Sequence, residues 1–147
     1  MKLNTRQSAN RNRECQNLSR QYHSDQRNLS KLRDEAHHAG NELRLLEGKL
    51  IYEENLLVRI RNRIRDAAVG VGECLFTKNP KGCSQLVVSL TGSELKHKTN
   101  VARLKEKIMR ARFMLSRLER EISSFNNLSE GALGRMGELN CSDLGYN

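Results

Sequence analysis

Four cysteines and four histidines are the residues here with the chemistry to hold a metal, form a bridge or attack a substrate. Cys74 and Cys83 are the nearest pair, separated by a stretch that includes the turn-forming run Lys78-Asn79-Pro80-Lys81-Gly82. A lone pair of thiols, with His97 at no familiar ligand spacing, does not supply the four ligands of a structural zinc site. Free packed thiols are the expectation, with a Cys74–Cys83 bridge as the alternative, and neither a metal nor a cofactor is expected. His37 and His38 fall on the solvated side of a helix and His23 lies in a basic arm. No Ser, Cys or Asp stands in a recognisable set with a base, and no glycine-rich loop could cradle a phosphate. Catalytic residues are therefore expected to be none.

Charge is the other chemistry on offer. The formal charge is +9, from 26 Lys and Arg against 17 Asp and Glu. Most of the basic residues are Arg, whose planar fork suits carboxylate or phosphate better than diffuse attraction does. In the first 35 residues Arg6, Arg11, Arg13 and Arg20 stand among Asn, Gln and Ser, and further along Lys105, Arg110 and Arg112 belong to a second basic stretch. These seven are the candidate contacts to an acidic partner or to phosphates. Asn12-Arg13-Glu14 followed by Arg20 resembles the Asn-x7-Arg core of basic-zipper DNA-binding proteins. Cys15 and Gln16 stand where that family keeps alanines, however, Gln21-Tyr22-His23 replaces its basic cluster, and Ser30 stands where its first zipper leucine should fall. No functional residue is carried over from it.

The elements that position these side chains follow from periodicity. From Cys15 to Ala67 the residues at alternating steps of three and four are Cys15, Leu18, Tyr22, Asp25, Leu29, Leu32, Ala36, Ala39, Leu43, Leu46, Leu50, Glu53, Leu57, Ile60, Ile64 and Ala67. A straight helix drifts off a strict seven-residue repeat because 3.6 does not divide seven, so a seam this long calls for a partner helix. Asp25 and Glu53 are its two charged intrusions. Asp25 is expected to stay wet at the thin end, and Glu53 either to stay wet or to fix register by accepting an Arg or Lys from the facing helix.

Gly70 and Gly72 are expected to end this first helix. The runs Cys74–Thr77 and Cys83–Val88 read as a small β-hairpin or irregular loop. Thr91 with Glu94 forms a capping box and Leu90 with Leu95 a hydrophobic staple, so the second helix is expected to start there. Its own seam is Val101, Leu104, Ile108, Ala111, Leu115, Leu118, Ile122 and Phe125. Two seams joined by a loop predict an all-α fold, an antiparallel helical hairpin with core residues Leu43, Leu46, Leu50, Leu57, Ile60, Leu104, Ile108, Leu115, Leu118 and Ile122. A trial register with Leu57 beside Leu104 brings Glu54 near Lys105 and Glu47 near Arg112 but sets Glu42 against Glu121, and a shift of one heptad scores about as well, so the register stays open.

The expected organisation is a basic arm over 1–35, a coiled-coil hairpin over 36–126 with a tip loop over 70–91, and a flexible glycine-dotted tail over 127–147. A first helix of roughly 95 Å would outrun a second of roughly 50 Å, at about 1.5 Å per residue. That mismatch leaves Leu18, Tyr22, Leu29 and Leu32 as an uncovered seam for a protein partner helix, either a second copy in a homo-oligomer or a foreign chain in a larger assembly.

Low aromatic content (4%) and 37% hydrophobic residues fit long helices with narrow stripes better than a thick core. No apolar run is long enough to span a membrane, and no apolar stretch near the start resembles a secretory signal. The expectation is an intracellular, cytoplasmic protein with mostly reduced thiols, and the Asn-x-Ser triplets at Asn17, Asn28, Asn127 and Asn140 read as chance matches. The functional expectation is a non-enzymatic coiled-coil structural or assembly protein, with sequence-tolerant nucleic-acid binding as the alternative.

Overall fold

Asn4 opens the first helix by closing a reciprocal cap: its Oδ1 accepts the Gln7 N–H at 2.8 Å while Gln7 Oε1 accepts the Asn4 N–H at 3.2 Å. Two otherwise orphaned donors are satisfied at once. The helix that follows, α1, covers Thr5–Cys74, and a second, α2, covers Pro80–Glu138. A single 3-10 turn, Cys141–Leu144, comes after α2. The computed structural model of the protein describes residues 4–74 and 80–146, without the side chains of 68–81 and 83. The two helices pack against each other as an all-α helical hairpin, with no strand among the described residues.

Every seam position from Cys15 to Ala67 is buried or half-buried, and so is every one from Val101 to Phe125. The second seam extends further than its apolar run. Upstream, Val87, Leu90, Glu94 and His97 keep the same alternation of three and four, and downstream Ser129, Ala132, Met136 and Leu139 do so; all are at least half-buried.

The chain divides into two compact units. In the unit formed by Asn41–Phe113, Leu57 and Ile60 of α1 and Leu90, Val101 and Ile108 of α2 are buried. Its flanks carry Arg112 Nη2 to Glu47 Oε1 at 3.0 Å, Lys105 Nζ to Glu54 Oε1 at 3.9 Å and Arg61 Nε to Glu94 Oε1 at 3.4 Å. The first two are the pairs that the trial register brings together. Exposed ion pairs contribute at most about 1 kcal/mol each, so they mark the register more than they hold it.

The other unit joins Met1–Gly40 to Met114–Asn147. Leu29 of α1 and Leu118, Ala132 and Met136 of α2 are buried in it. A disulfide joins Cys15 to Cys141, and Cys15, Met136 and Cys141 form a small core covered by Leu18, Tyr22, Leu139 and Tyr146. Around it, Arg135 donates to Glu14 at 2.9 Å and to Glu138 at 3.0 Å. Tyr146 donates its hydroxyl to Asn12 at 3.1 Å. Those hydrogen bonds, Glu138's first and then Glu14's, raise the Arg135 guanidinium pKa above its ordinary value. Asn140 (φ 50°) and Gly145 (φ 84°) both adopt left-handed backbone, which turns the chain after α2 and again after the 3-10 turn. That local geometry brings Cys141 and Tyr146 back to α1.

Several expectations are corrected. Gly70 and Gly72 do not stop α1, which runs on to Cys74; a helical glycine costs about 1 kcal/mol relative to alanine, which two of them do not make prohibitive. Residues 80–91 are helical where a loop and a strand over Cys83–Val88 were expected. Pro80 is the first helical residue, a position where a missing N–H costs nothing. Thr91 is not a cap: its hydroxyl donates to the Val87 carbonyl at 2.8 Å inside the helix, and Glu94 accepts from Arg61. Leu95 is exposed while Leu90 is buried, so no staple forms. The side chains of Cys74 and Cys83 lie outside the described residues.

Residues 127–138, expected as a flexible tail, complete α2. The longer second helix removes the length mismatch, and Leu18, Tyr22, Leu29 and Leu32 are shielded by their own chain. The seam no longer calls for a second copy. Cys15 and Cys141 are oxidised, against the expectation of reduced thiols.

A link across 126 residues restricts the unfolded chain strongly. Replacing both Cys15 and Cys141 by Ser is expected to cost about 2–5 kcal/mol in urea unfolding. Amide exchange should accelerate first over residues 132–146, with residues 94–108 least affected.

Candidate interaction surface

Burial separates the residues that hold the helices together from those left to meet a partner. The four residues expected as a partner seam belong to the first group, since Leu29 is fully buried and Leu18, Tyr22 and Leu32 are half-buried within their own unit. The ten expected core residues are likewise shielded, with Leu57, Ile60, Ile108 and Leu118 buried and the other six half-buried.

Several polar groups in and beside the seams find one another. Glu53 Oε2 lies 2.5 Å from His97 Nδ1, both side chains being about four-fifths covered. The register-fixing role expected of Glu53 is therefore answered by a histidine rather than by an Arg or Lys. Both occupy seam positions, so the pair sits between the helices, where an unmatched carboxylate would be destabilising. In the other unit Gln26 donates to the buried Ser129 hydroxyl at 2.6 Å, and Arg33 donates to Asn126 at 3.2 Å.

Asp25 is the exception. It is only 7% exposed, where a wet carboxylate was expected, and its Oδ2 has no hydrogen-bond partner.

The basic candidates divide by position. Arg6, Arg13 and Arg20 are exposed along α1, whereas Arg11 is half-buried with an unpaired, covered Nε. Arg59, Arg61, Arg63 and Arg65 are all exposed, Arg61 reaching Glu94 and Arg65 bonding to Asn62 at 3.1 Å. On α2, Lys105 and Arg112 are tied to carboxylates of α1, and Arg110 is bound to Glu106 within its own helix. Lys96, Lys98, Arg103 and Lys107 are exposed and have no ion-pair partner among the described residues. An open cleft of about 320 Å³ lies beside Glu53, rimmed by Lys49, Tyr52, Arg103 and Lys107.

Large apolar side chains left in water concentrate in the same unit. Leu45, Ile51, Tyr52 and Val58 on α1 and Val88, Leu95, Met109 and Phe113 on α2 are each more than half exposed. Single exposed leucines are ordinary, but a regular line of them is what interaction surfaces look like. On α1 the sequence does show Ile51 and Val58 widening the apolar face outside the seam, whereas on α2 sequence reading missed the line because it sought seams, and the outer positions of α2 repeat with the same period as its seam. The steps of seven from Val88 to Leu95 and from Ala102 to Met109 were the available signal.

No family model matches the chain, and no curated protein or solved structure is found to be similar to it.

The unanswered carboxylate yields a prediction. Replacing Asp25 by Leu restores an apolar residue at a seam site and removes an unmet hydrogen-bonding demand. Stability in urea should rise by about 1–3 kcal/mol. Asp25→Asn, which keeps a polar head in the same place, should recover much less.

Proposed function

We propose that the protein is a non-enzymatic structural or assembly component, a helical hairpin that docks onto an acidic partner within a larger complex. The observation that carries this reading is the concentration of exposed apolar side chains among basic ones in residues 41–113, outside the paired seams. Water-facing leucine, methionine and phenylalanine gain from being covered, and Lys and Arg around them favour a negatively charged cover. The docking face is thus moved from the N-terminal seam, which the chain covers itself, to the outside of the hairpin.

The helical frame supports such a role in a second way. Its backbone is held by two long paired seams rather than by loops, so a partner would meet a surface whose main chain has little left to order on binding. No described helix is long and apolar enough to cross a membrane.

Nucleic acid is the second reading, favoured by Lys96, Lys98, Arg103 and Lys107, which face water without a carboxylate of their own. Phosphate binding is carried by counterion release, and its affinity falls by about 0.7–0.9 log units per contact for each log unit of salt. Base stacking has little to work with, since Phe113 of α2 and Tyr52 of α1 are the exposed aromatics among these basic residues.

The two readings part in one experiment. Protein isolated from its native source under gentle conditions should carry protein neighbours that cross-link to residues 41–113 and survive nuclease treatment. Recovery of nucleic acid alone, released with the steep salt slope above, would replace docking by phosphate binding.

A further inference from the structure

We propose that the outer face of α2 between Val88 and Phe113 is the binding site for a partner helix whose apolar line is flanked on both sides by carboxylates. This rests on the docking reading above and names the chemistry of what docks.

Geometry supplies the line. Val88, Leu95, Ala102 and Met109 are seven residues apart and therefore lie nearly above one another; Gly92, Thr99, Glu106 and Phe113 follow each by four and lie alongside. Val88, Leu95, Met109 and Phe113 are 70%, 66%, 70% and 67% exposed, while Leu90, Val101 and Ile108 on the opposite side are buried. The line thus faces away from α1. At about 1.5 Å per residue it is roughly 38 Å long, enough for several turns of a second helix. Gly92, Thr99 and Ala102 alternate with the large side chains and leave the shallow notches that knobs of a facing helix would fill.

Charge specifies the occupant. The same seven-residue spacing places Lys96, Arg103 and Arg110 along one border of the line and Lys98, Lys105 and Arg112 along the other; Arg110, Lys105 and Arg112 already meet Glu106, Glu54 and Glu47, and Lys96, Lys98 and Arg103 have no ion-pair partner among the described residues. Flanking charges select the partner of a helix–helix seam. Two borders of one sign select against a second copy of this face, which would set basic residues against basic residues, and select for Glu or Asp on both flanks of the partner. An anionic lipid surface would also attract the borders, but it has no use for notches and would meet Glu106 in the middle of the line. A helix can place one of its own polar residues opposite Glu106 and Arg110, which already pair at 2.5 Å.

The test uses the full, disulfide-linked chain. The probe is a synthetic amphipathic helix about four heptads long, with Leu along its apolar line and Glu on both flanks; comparison probes are the same peptide with Gln flanks, vesicles containing phosphatidylserine, and a short DNA duplex. Isothermal titration should show micromolar binding of the Glu-flanked peptide, at least about tenfold weaker with Gln flanks and weaker again as salt is raised. Leu95→Ser with Met109→Ser, both at exposed sites, should reduce binding at least about tenfold without changing helicity or melting temperature. Arg103→Glu with Arg110→Glu should do the same, and should restore binding to a peptide that carries Lys on the flank facing that border and Glu on the other.

Equal affinity for Glu and Gln flanks, unchanged binding by both variants, or no binding at all would overturn the proposal. So would vesicles or duplex binding more tightly than the peptide through the same residues. Failure here together with native protein cross-links elsewhere in residues 41–113 would remove this site and leave the docking reading standing; loss of both would remove that reading as well.

Discussion

An apolar stripe that repeats every seven residues along a helix stays in contact with water until another helix covers it, and the structure depends on the chain covering its own. Each Leu, Ile or Val withdrawn from water contributes on the order of 1.5–3 kcal/mol, which no exposed ion pair on these helices approaches. The cover is supplied in cis: α2 carries the same repeat as α1 and presents it over Val87 to Leu139. Without that match of period the basic outer faces would have no frame to hold them in line.

Matched polarity refines what apolar burial drives. Glu53 meets His97 from seam to seam, and Gln26, beside its own seam, reaches Ser129 in the other, while Asp25 Oδ2 is left unmatched. A slip of one heptad would set Glu53 and His97 against leucine or isoleucine, at about 1–3 kcal/mol for each polar group left unmatched, comparable to a leucine layer. Polar interruptions thereby specify the register that Leu-to-Leu contacts leave degenerate. The Cys15–Cys141 link acts at the other end of the same problem, fixing the last turns of α2 beside α1 where Gly131, Gly134 and Gly137 make helix formation weak.

The hairpin and its all-α class were legible because apolar periodicity is local to the sequence; the ion pairs Glu47–Arg112 and Glu54–Lys105 belong to one of several registers that periodicity leaves open. The ends of α2 were not. Glu94 and His97 interrupt the repeat upstream, Ser129 and Ala132 are too small or polar to announce it downstream, and three glycines made a helical segment resemble a tail. Their positions are decided by what α1 offers opposite them, which periodicity in one segment does not contain. The same holds for Thr91 and Glu94, whose spacing reads as a cap although a buried Leu90 and the turns before it continue the helix. Cys15 pairs with a residue 126 positions away, a distance that spacing rules do not reach.

A chain whose seams are satisfied internally has only its outside to offer, and the docking face proposed for α2 follows from that. Whether the seams are satisfied internally is tested most directly by zero-length carbodiimide cross-linking of Lys105 to Glu54, whose charged atoms are 3.9 Å apart. Equal amounts of light and isotopically heavy chain are mixed after denaturation with the disulfide reduced, refolded together, reoxidised and then cross-linked. Pairing within one chain predicts that peptides joining residues 105 and 54 are wholly light or wholly heavy. A statistical share of mixed light–heavy peptides would show that α2 covers the α1 of another copy and would contradict the hairpin.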